Sequence, residues 1–566
     1  MDTPILGIDL GTTNSLVAYW HEGKAQLIRN ALGQVLTPSV VSVDEDGSIL
    51  VGQAARERLI SHPQATAASF KRFMGSQKRY RLGKRQEFSP EELSALVLHA
   101  LKADAEAALG TTVHDAVITV PAYFNDTQRK ATRQAAELAG LNIRRLLNEP
   151  TAAAMAYGLH QNGDDRKFLV LDLGGGTFDV TLLDMFSGIM EVRASAGDNM
   201  LGGEDFTELL IAGFTAIYPK EKWAEAQGTL YAVSERAKQA LNQGDTDLNL
   251  PINGETLNWH ITATDWETRC APLLARCRAP IEQALRDTNI RASQLNDIIL
   301  VGGATRMSVL RKFMARLFGR FPTTGLNPDE TIAIGAAIQA GLIAQDQALE
   351  EVVMTDVAPY SLGVETVVQI SDRHYEDGIF GPIIERNTVI PVSRVQTYYP
   401  MSQGQKSLLF KIYQGEARLV RDNIYLGKIE IPLPAYQETE DMPAEVRFTY
   451  DISGLLEIDV HLPVDGSTHQ LSIHNSGITL DDAALQAAHK KLAKLKIHPR
   501  EQTENRTLLA RAERLYTQRL GEDRQYIGHR IALFTAALDS QDARTIREAV
   551  REMEAFLQNM DDNPWQ

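Results

Sequence analysis

From the start of the chain to about residue 345, short apolar runs alternate with segments of helical period. Residues 116–120, 168–173 and 298–301 are apolar runs of strand length, and residues 127–139 have the spacing of an amphipathic helix. Such alternation predicts α/β layers, because crossover helices cover the faces of the sheet that their strands build. Near residue 360 the texture changes. Val446, Phe448, Tyr450 and Ile452 alternate with polar neighbours, and after Gly454 the alternation resumes at Leu456, Ile458, Val460 and Leu462. Period two on both sides of a glycine predicts a hairpin, and with it a β-rich domain. Beyond residue 479 the period is helical again. Thr479 and Asp482 resemble a capping box, and Leu485, Leu492 and Leu495 line one face up to Pro499. The stripe recurs at Ile527, Ile531, Phe534 and Leu538, then at Ile546, Val550, Met553 and Phe556.

Between the first two textures, Val352, Val353 and Met354 are bracketed by Glu350, Glu351 and Asp356. A flexible spacer would be rich in Gly and Ser, and this segment is not. Two readings fit: a short strand that adds to a sheet edge in one state and is exposed in another, or the first strand of the β domain. The expected organisation is therefore residues 1–348, a linker at 349–357, a β-rich domain at 358–478 and a helical segment at 479–566.

Composition narrows the function. At about 150 residues per domain, 566 residues leave room for three or four domains. A 44% hydrophobic content excludes disorder as the main state. Asp plus Glu number 73 against 57 Lys plus Arg, a net charge of −16. That balance argues against a nucleic-acid binder held by phosphate contacts, but not against a nucleotide site, which needs only a few local charges. Two cysteines, Cys270 and Cys277, exclude a disulfide scaffold. Both fall in a helical stretch at 263–285 and are expected as buried free thiols. The first residues lack the basic region of a signal peptide, and no run approaches the ~20 apolar residues of a membrane span. A cytoplasmic setting without a membrane is expected.

Two segments look like copies of one motif: Gly7-Ile-Asp-Leu-Gly-Thr-Thr-Asn-Ser15 and Leu171-Asp-Leu-Gly-Gly-Gly-Thr-Phe-Asp179. Each runs from an apolar strand through an Asp and a Gly/Thr turn into a second strand. The duplication predicts two similar lobes, each presenting a hairpin turn to a shared cleft. Glycines let the backbone approach phosphate oxygens, and amides and Thr hydroxyls donate to them. Asp9 and Asp172, at equivalent points, would face each other, a pairing suited to a hydrated Mg²⁺ with few direct protein ligands. A third element, Val301-Gly-Gly-Ala-Thr-Arg306, follows a strand and precedes a helix. Its amides suit phosphate or a nucleoside at a helix start, or it is a plain tight turn. No Gly-x-x-x-x-Gly-Lys-Ser/Thr occurs, which excludes a P-loop.

These elements combine with Val120-Pro-Ala-Tyr-Phe-Asn-Asp126, Asn148-Glu-Pro-Thr-Ala-Ala153 and Leu201-Gly-Gly-Glu-Asp-Phe206. Ser361-Leu-Gly-Val-Glu365 and Arg386-Asn-Thr-Val-Ile-Pro391 extend the set. Together they resemble the DnaK-type heat-shock chaperone family over nearly the whole chain. The compact length, the shortened segment after Lys71 and the short helical tail are similar to its bacterial HscC branch. The resemblance implies a multidomain protein: an α/β actin–hexokinase-like ATPase domain of two lobes, a β-sandwich that binds extended apolar peptide, and a short helical lid.

Residue roles follow from the resemblance, motif by motif. Gly11, Thr12, Thr13 and Asn14 are assigned to the phosphates, with Gly174, Gly175, Gly176 and Thr177 facing them from the other lobe. Asp9 and Asp172 would surround Mg²⁺ through waters, with Asp179 in support and K⁺ as a further candidate ion. Lys71 would position the attacking water; read alone, it is one of several basic residues on a solvated face. Glu149 would be linked to Pro121 and Arg129 as a relay. Gly202, Gly203, Glu235, Lys238, Asn242, Gly302, Gly303, Arg306 and Asp329 would hold the adenosine of ATP. Gln239 stands where the family commonly has Arg, Asn242 where it has Ser, and Ala304 where it has Ser or Gln. In the β domain the candidate peptide contacts are Val364, Thr366, Val367, Tyr398, Met401, Leu408, Phe410 and Ile452. Individually each also reads as sandwich core. The stretch 366–386 is longer than the family pattern, and its polar part 371–378 reads as a loop. Arg145 and Asp356 match positions used in docking a J-domain partner, and Val352, Val353 and Met354 would couple the two domains as the linker docks and is released. The shortened region after 249–252 leaves a GrpE-type exchange factor an open matter.

The reading is an ATP-driven, monomeric chaperone whose clients are unfolded or extended polypeptides. A small-molecule kinase of the same fold, or an actin-like filament protein, would account for residues 1–345 but leave 360–560 without a role.

Overall fold

A computed structural model describes the chain apart from residues 1–3, 84–85, 159–165, 187–188, 253, 324, 346–352, 372–373, 435–438, 440–441, 452–454, 475–504, 506–507, 510, 513–514, 517–520 and 563–566. Its contacts separate into two units, with the division between Pro359 and Tyr360.

In the first unit, β1 (Ile5–Asp9), β2 (Asn14–His21) and β3 (Lys24–Leu27) form an antiparallel meander. On the other side of β1, β4 (Asp115–Val120) and β5 (Asn142–Asn148) add in parallel. A second sheet repeats the plan. Its meander is β6 (Arg166–Leu173), β7 (Phe178–Phe186) and β8 (Ile189–Asp198), and β9 (Asp297–Val301) adds in parallel to β6. The two copied motifs thus form the corresponding hairpins β1–β2 and β6–β7. Asp9 lies opposite Leu16, and Asp172 opposite Asp179. The central strands are apolar on both faces because helices cover both, so Val117, Ile118, Leu169, Val170 and Leu171 are all buried.

The helices α1 (Gln53–Ser61), α2 (Pro90–Leu109), α3 (Asp126–Leu138) and α4 (Glu149–Ala156) occur within the first repeat. The helices α5 (Gly203–Ile217), α6 (Gln227–Ala240), α7 (Ala263–Asp287) and α8 (Ser308–Phe318) occur within the second. Local chemistry sets their starts. Ser89 and Glu92 form a capping box with Pro90 at the first helical position of α2, and Asn125 with Gln128 does the same for α3. Cys270 and Cys277 are buried free thiols on one face of α7. Burial pushes both above the ordinary thiol range, Cys277 to about 12.

One further helix, α9 (Thr331–Ile343), lies against β1, β2 and α4. The approach is closer than a methyl group allows. A Cβ on Gly335 would stand 1.8 Å from the Ala152 carbonyl oxygen, and one on Gly7 2.3 Å from the Ala337 nitrogen. The surrounding Ala152, Ala153, Ala333, Ala336 and Ala337 are all buried.

The linker reading resolves toward edge addition. β10 (Val353–Val357) pairs in parallel with β8, Val353 opposite Ile189 and Thr355 opposite Glu191. It extends the second sheet of the first unit. Val352 lies outside the described residues.

The second unit has strands β11 (Leu362–Ser371), β12 (His374–Ile384), β13 (Val392–Tyr398), β14 (Ser407–Gln414), β15 (Ile424–Pro432), β16 (Ala444–Tyr450), β17 (Leu455–Leu462) and β18 (Ser467–His474). They form two antiparallel sheets in the orders β12-β11-β14-β15 and β13-β16-β17-β18. The expected hairpin is β16–β17, pairing Val446 with Val460, Phe448 with Ile458 and Tyr450 with Leu456, all buried. The polar stretch 371–378, expected as a loop, instead belongs largely to the arms of the β11–β12 hairpin, whose register shifts at three points. Main-chain pairing holds such an arm together, and with Val367, Val368 and Tyr375 exposed it needs no buried face to write a period-two pattern. The helices α10 (Gly521–Asp539) and α11 (Ala543–Asp562) pack Ile527, Phe534 and Leu538 with Met553, Phe556 and Leu557. The expected stripe from Leu485 to Leu495 lies outside the described residues. Among the described residues no helix is long and apolar enough to cross a membrane.

The α4–α9 contact generates a stability prediction. Overpacking a close-packed site costs ~1–3 kcal/mol. Gly335→Ala should therefore lower the thermal midpoint by several degrees, read by calorimetry, and an unchanged midpoint would mean that the junction relaxes freely.

Candidate nucleotide site and linker contact

The two copied hairpins open on one cavity of ≈ 580 Å³. From the β1–β2 turn it is lined by Asp9, Gly11, Thr12, Thr13 and Asn14, and from the β6–β7 turn by Asp172, Gly174, Gly175 and Thr177. Lys71 and Glu149 reach it, and so do Gly203, Glu235, Lys238, Asn242, Gly302, Gly303, Arg306 and Asp329. Gly176 and Gly202 stand just behind the lining. A Cβ on Gly175 would meet Thr13 Oγ1 at 2.0 Å, and one on Gly202 the Gly175 carbonyl oxygen at 2.3 Å. Only glycine fits these turns, which leaves their backbone accessible to a phosphate chain. Ser15 accepts from the Gly11 amide at 3.2 Å, and Ser39 donates to the Gly11 carbonyl at 2.7 Å, bracing the first turn.

The charges of the site are buried. Lys71 Nζ pairs with Glu149 Oε1 at 2.8 Å, their side chains 4% and 8% exposed. Lys71 is therefore no residue of a solvated face. Glu149 is the first residue of α4, directly after β5, where a carboxylate favours the helix N-terminus. Asp9 Oδ1 accepts from Thr119 Oγ1 at 3.0 Å. Burial, then the neighbouring Glu149 charge, pushes Asp9 up to about 7. Asp179 accepts from the Tyr123 amide at 2.9 Å and is likewise pushed to about 7, by burial first and Glu149 second. Asp172 is raised by burial, Glu149, Asp179 and Asp9 in that order. The Oδ2 atoms of Asp172 and Asp179 are buried with no hydrogen-bond partner.

These residues fit a hydrated divalent cation. An orphaned Asp172 oxygen and closely set carboxylates call for added positive charge. Among the described residues no group of three or more His, Cys, Asp or Glu is set to hold a metal ion directly.

At the other wall, Glu235 pairs with Lys238 at 2.6 Å and accepts from Thr207 Oγ1 at 2.6 Å. Lys238 donates to the Gly203 carbonyl at 2.8 Å. Gln239 donates to Glu235 at 3.2 Å, while Asn242 Oδ1 accepts from the Ser308 amide at 2.7 Å at the start of α8. Asn242 thus has a helix-end contact beside its place in the cavity wall. Arg306 pairs with Asp329 at 2.6 Å. The Gly302 turn differs from the helix-start reading. Gly302 has φ 85°, and a short 3₁₀ turn at Gly303–Arg306 precedes α8. Sequence patterning carries no signal for further lining residues such as Arg56 and Leu59 of α1, Tyr231 of α6 and Ile332 of α9. They come from separate elements and carry no motif.

The relay differs in one contact from the expected link. Arg129 donates to Asn148 Oδ1 at 2.8 Å and to the Ala122 and Phe124 carbonyls at 3.1 and 3.0 Å, so these bonds fall on the residue next to Glu149 rather than on Glu149 itself. Pro121 is buried at the same corner, its carbonyl accepting from the Phe124 amide. Asn148 Nδ2 donates to Asp356 Oδ2 of the linker strand at 2.7 Å. Burial raises the Asp356 pKa, against the pull of Arg129 and Arg145. Arg145 itself donates to Gln339 of α9 at 3.0 Å.

Of the peptide-contact candidates, Val364, Leu408 and Phe410 are buried, Val367 and Met401 exposed, and Ile452 outside the described residues. Tyr398 stacks edge-on against Phe410 with centroids 5.6 Å apart, and Thr366 Oγ1 donates to the Ile379 carbonyl at 3.2 Å.

The raised carboxylates predict a pH dependence. Asp179 moves from 3.8 when unfolded to about 7 when folded, so the metal- and nucleotide-free fold binds its proton more tightly. The associated stability is present below about pH 4 and is lost as pH rises to about 7. Asp179→Asn should therefore reduce the drop in thermal midpoint between pH 4.5 and 8, and an equal drop in both proteins would remove Asp179 as its cause.

The model of the family described as Hsp70 protein matches residues 5–565. The chain is 41% identical over 474 residues to the chaperone protein DnaK of Thermotoga neapolitana, covering 80% of this chain and 77% of that one. The chaperone protein DnaK of Thermotoga maritima matches with the same identity and coverage. With a family match over nearly its whole length and relatives of this similarity, the chain belongs to the Hsp70 family.

Proposed function

We propose a residue-level mechanism for this Hsp70-family chain, an ATP-dependent chaperone and ATPase that binds unfolded protein. The observation that carries the mechanism is the buried Lys71–Glu149 pair, at 2.8 Å, in the cavity between the two glycine turns. ATP would lie with its phosphates between the turns and its adenosine toward Glu235, Lys238, Arg306 and Asp329. Thr12, Thr13 and Thr177 would donate hydroxyls to the phosphates, and Gly174 and Gly175 their amides. Water attacks the γ-phosphorus, the bond to the β-phosphate oxygen breaks, and ADP and phosphate result. Lys71 orients that water and stabilises the charge developing on the phosphoryl oxygens, while Glu149 fixes the ammonium. Mg²⁺, held through waters by Asp9 and Asp172, would neutralise phosphate charge when bound. Gln239 in place of Arg removes a cation that could stack on the base, so nucleotide affinity is expected to be modest.

Coupling would run from Glu149 through Asn148 to Asp356 and β10. ATP favours the docked strand and an open peptide domain; hydrolysis releases the strand and closes the lid over Val364, Thr366, Val367, Tyr398, Met401, Leu408, Phe410 and Ile452. Arg145 and Asp356 are the proposed contacts of a J-domain partner. Assignment to the HscC branch, a monomeric state and a cytoplasmic setting belong to the same proposal.

Two experiments test it. Lys71→Ala should lower single-turnover hydrolysis by about 10²–10³-fold, the range seen when one transition-state donor is lost, with ATP still bound by calorimetry. Full turnover would remove Lys71 from the mechanism. Val352→Asp with Val353→Asp should keep both ATP binding and peptide binding but lose the acceleration of peptide release by ATP. If release still speeds up with ATP, coupling runs through other contacts.

A further inference from the structure

We propose that Arg72 is a positioning residue for hydrolysis: its guanidinium clasps the turn carrying Lys71 to the first turn of α5, and so sets Lys71 against the second glycine hairpin. The inference rests on the role given to Lys71 above. Lys71 and Arg72 are neighbours in one short 3₁₀ turn, Phe70–Phe73. Their side chains part company. Lys71 enters the cavity, while Arg72, only 10% exposed, pairs with Asp205 at 2.7 Å and with Glu204 at 3.5 Å. Ser69, in the left-handed region at φ 58°, also donates to Glu204, so the turn is held on the same carboxylate from its other end.

The partners of Arg72 are themselves built into the second hairpin. Asp205 Oδ2, the atom that accepts from Arg72, also accepts from the Gly202 amide at 2.7 Å. The Gly203 and Glu204 amides donate to the Gly174 and Gly175 carbonyls, both at 2.9 Å. Movement of the α5 terminus therefore moves the phosphate turn. The aliphatic part of Arg72 adds a steric stop. A Cβ on Gly176 would lie 2.7 Å from Arg72 Cγ and 2.9 Å from Thr12 Cγ2. Gly176 is thus held between Arg72 and the first hairpin. Three phosphate-facing parts meet at this residue: the Thr12 turn, the Gly176 turn and the Lys71 turn. Rigid charge-assisted bonds from a buried guanidinium are suited to fixing relative position, because two carboxylates restrain it in direction as well as distance. Misplacing a catalytic group by about 1 Å costs on the order of a hundredfold in rate without removing any reacting atom.

The test separates position from binding and from folding. Single-turnover hydrolysis of pre-bound ATP and the ATP dissociation constant are measured on the full chain for Arg72→Ala, Arg72→Lys, Asp205→Asn, Arg72→Ala with Asp205→Asn, and Lys71→Ala. Arg72→Ala should slow hydrolysis by about ten- to a hundredfold while the dissociation constant changes by less than about threefold. Arg72→Lys, which keeps the charge but loses the fork, should recover part of the rate. Adding Asp205→Asn to Arg72→Ala should cost nothing further, since the bond is already gone. Should Arg72→Ala fail to fold, the near-isosteric Asp205→Asn carries the same rate-against-binding readout. Hydrolysis at the wild-type rate in Arg72→Ala, or losses from Arg72→Ala and Asp205→Asn that multiply, overturns the clasp. If Lys71→Ala also hydrolyses at the wild-type rate, the reading of Lys71 fails; if it is inactive while Arg72→Ala is fast, only the clasp fails.

Discussion

One buried ammonium, Lys71, sits among Glu149, Asp9, Asp172 and Asp179, and the rest of the first unit is arranged around that imbalance. An uncompensated carboxylate in a dry site costs several kcal/mol, so such a cluster must find positive charge. Burial and mutual repulsion raise Asp9, Asp172 and Asp179, so each would hold a proton more tightly than an exposed carboxylate, and added positive charge would relieve the same strain. Thr119 on Asp9 and the Tyr123 amide on Asp179 hold the carboxylates in place without neutralising them.

Close backbone approach is the second constraint, and it explains the small residues. Gly175, Gly202 and Gly176 bring the two hairpins and the α5 terminus within distances that exclude a Cβ. Gly7 and Gly335 do the same for α9 against β1 and α4. The same stack leads outward: α4 begins at Glu149, its predecessor Asn148 holds Asp356, and Arg145 joins Gln339 of α9. Charge at the cavity and the seat of the linker strand therefore share one packed corner.

The second unit follows different physics. Its β16–β17 hairpin is fixed by alternation, each inward residue paired across the strands and buried. The β11–β12 arm carries three register shifts and exposes Val367, Val368 and Tyr375. An arm with little buried face has weakly specified register, and its sequence accordingly reads as a loop.

By itself the sequence determined the layers, the duplicated hairpins and most of the residues that line the cavity. Period, turn glycines and the spacing of Asp, Gly and Thr are local signals, and local signals survive without a structure. It also determined the buried thiols of α7 and the pairing of β16 with β17. Tertiary structure decided which residues meet across more than a hundred positions. Arg72 on Asp205, Asn148 on Asp356 and Arg56 and Tyr231 in the cavity wall carry no motif, because each contact joins elements whose relative placement no local pattern encodes. It decided the state of the linker as well. An apolar triplet between acids is compatible with either sheet; the pairing with the edge of β8, where Asn148 donates to Asp356, is decided by the fold. Lys71 shows the same division. As a letter it is an ordinary surface lysine; its burial against Glu149 comes from the fold that closes over it, since only a surrounding structure can take a charge out of water and hold its partner at 2.8 Å.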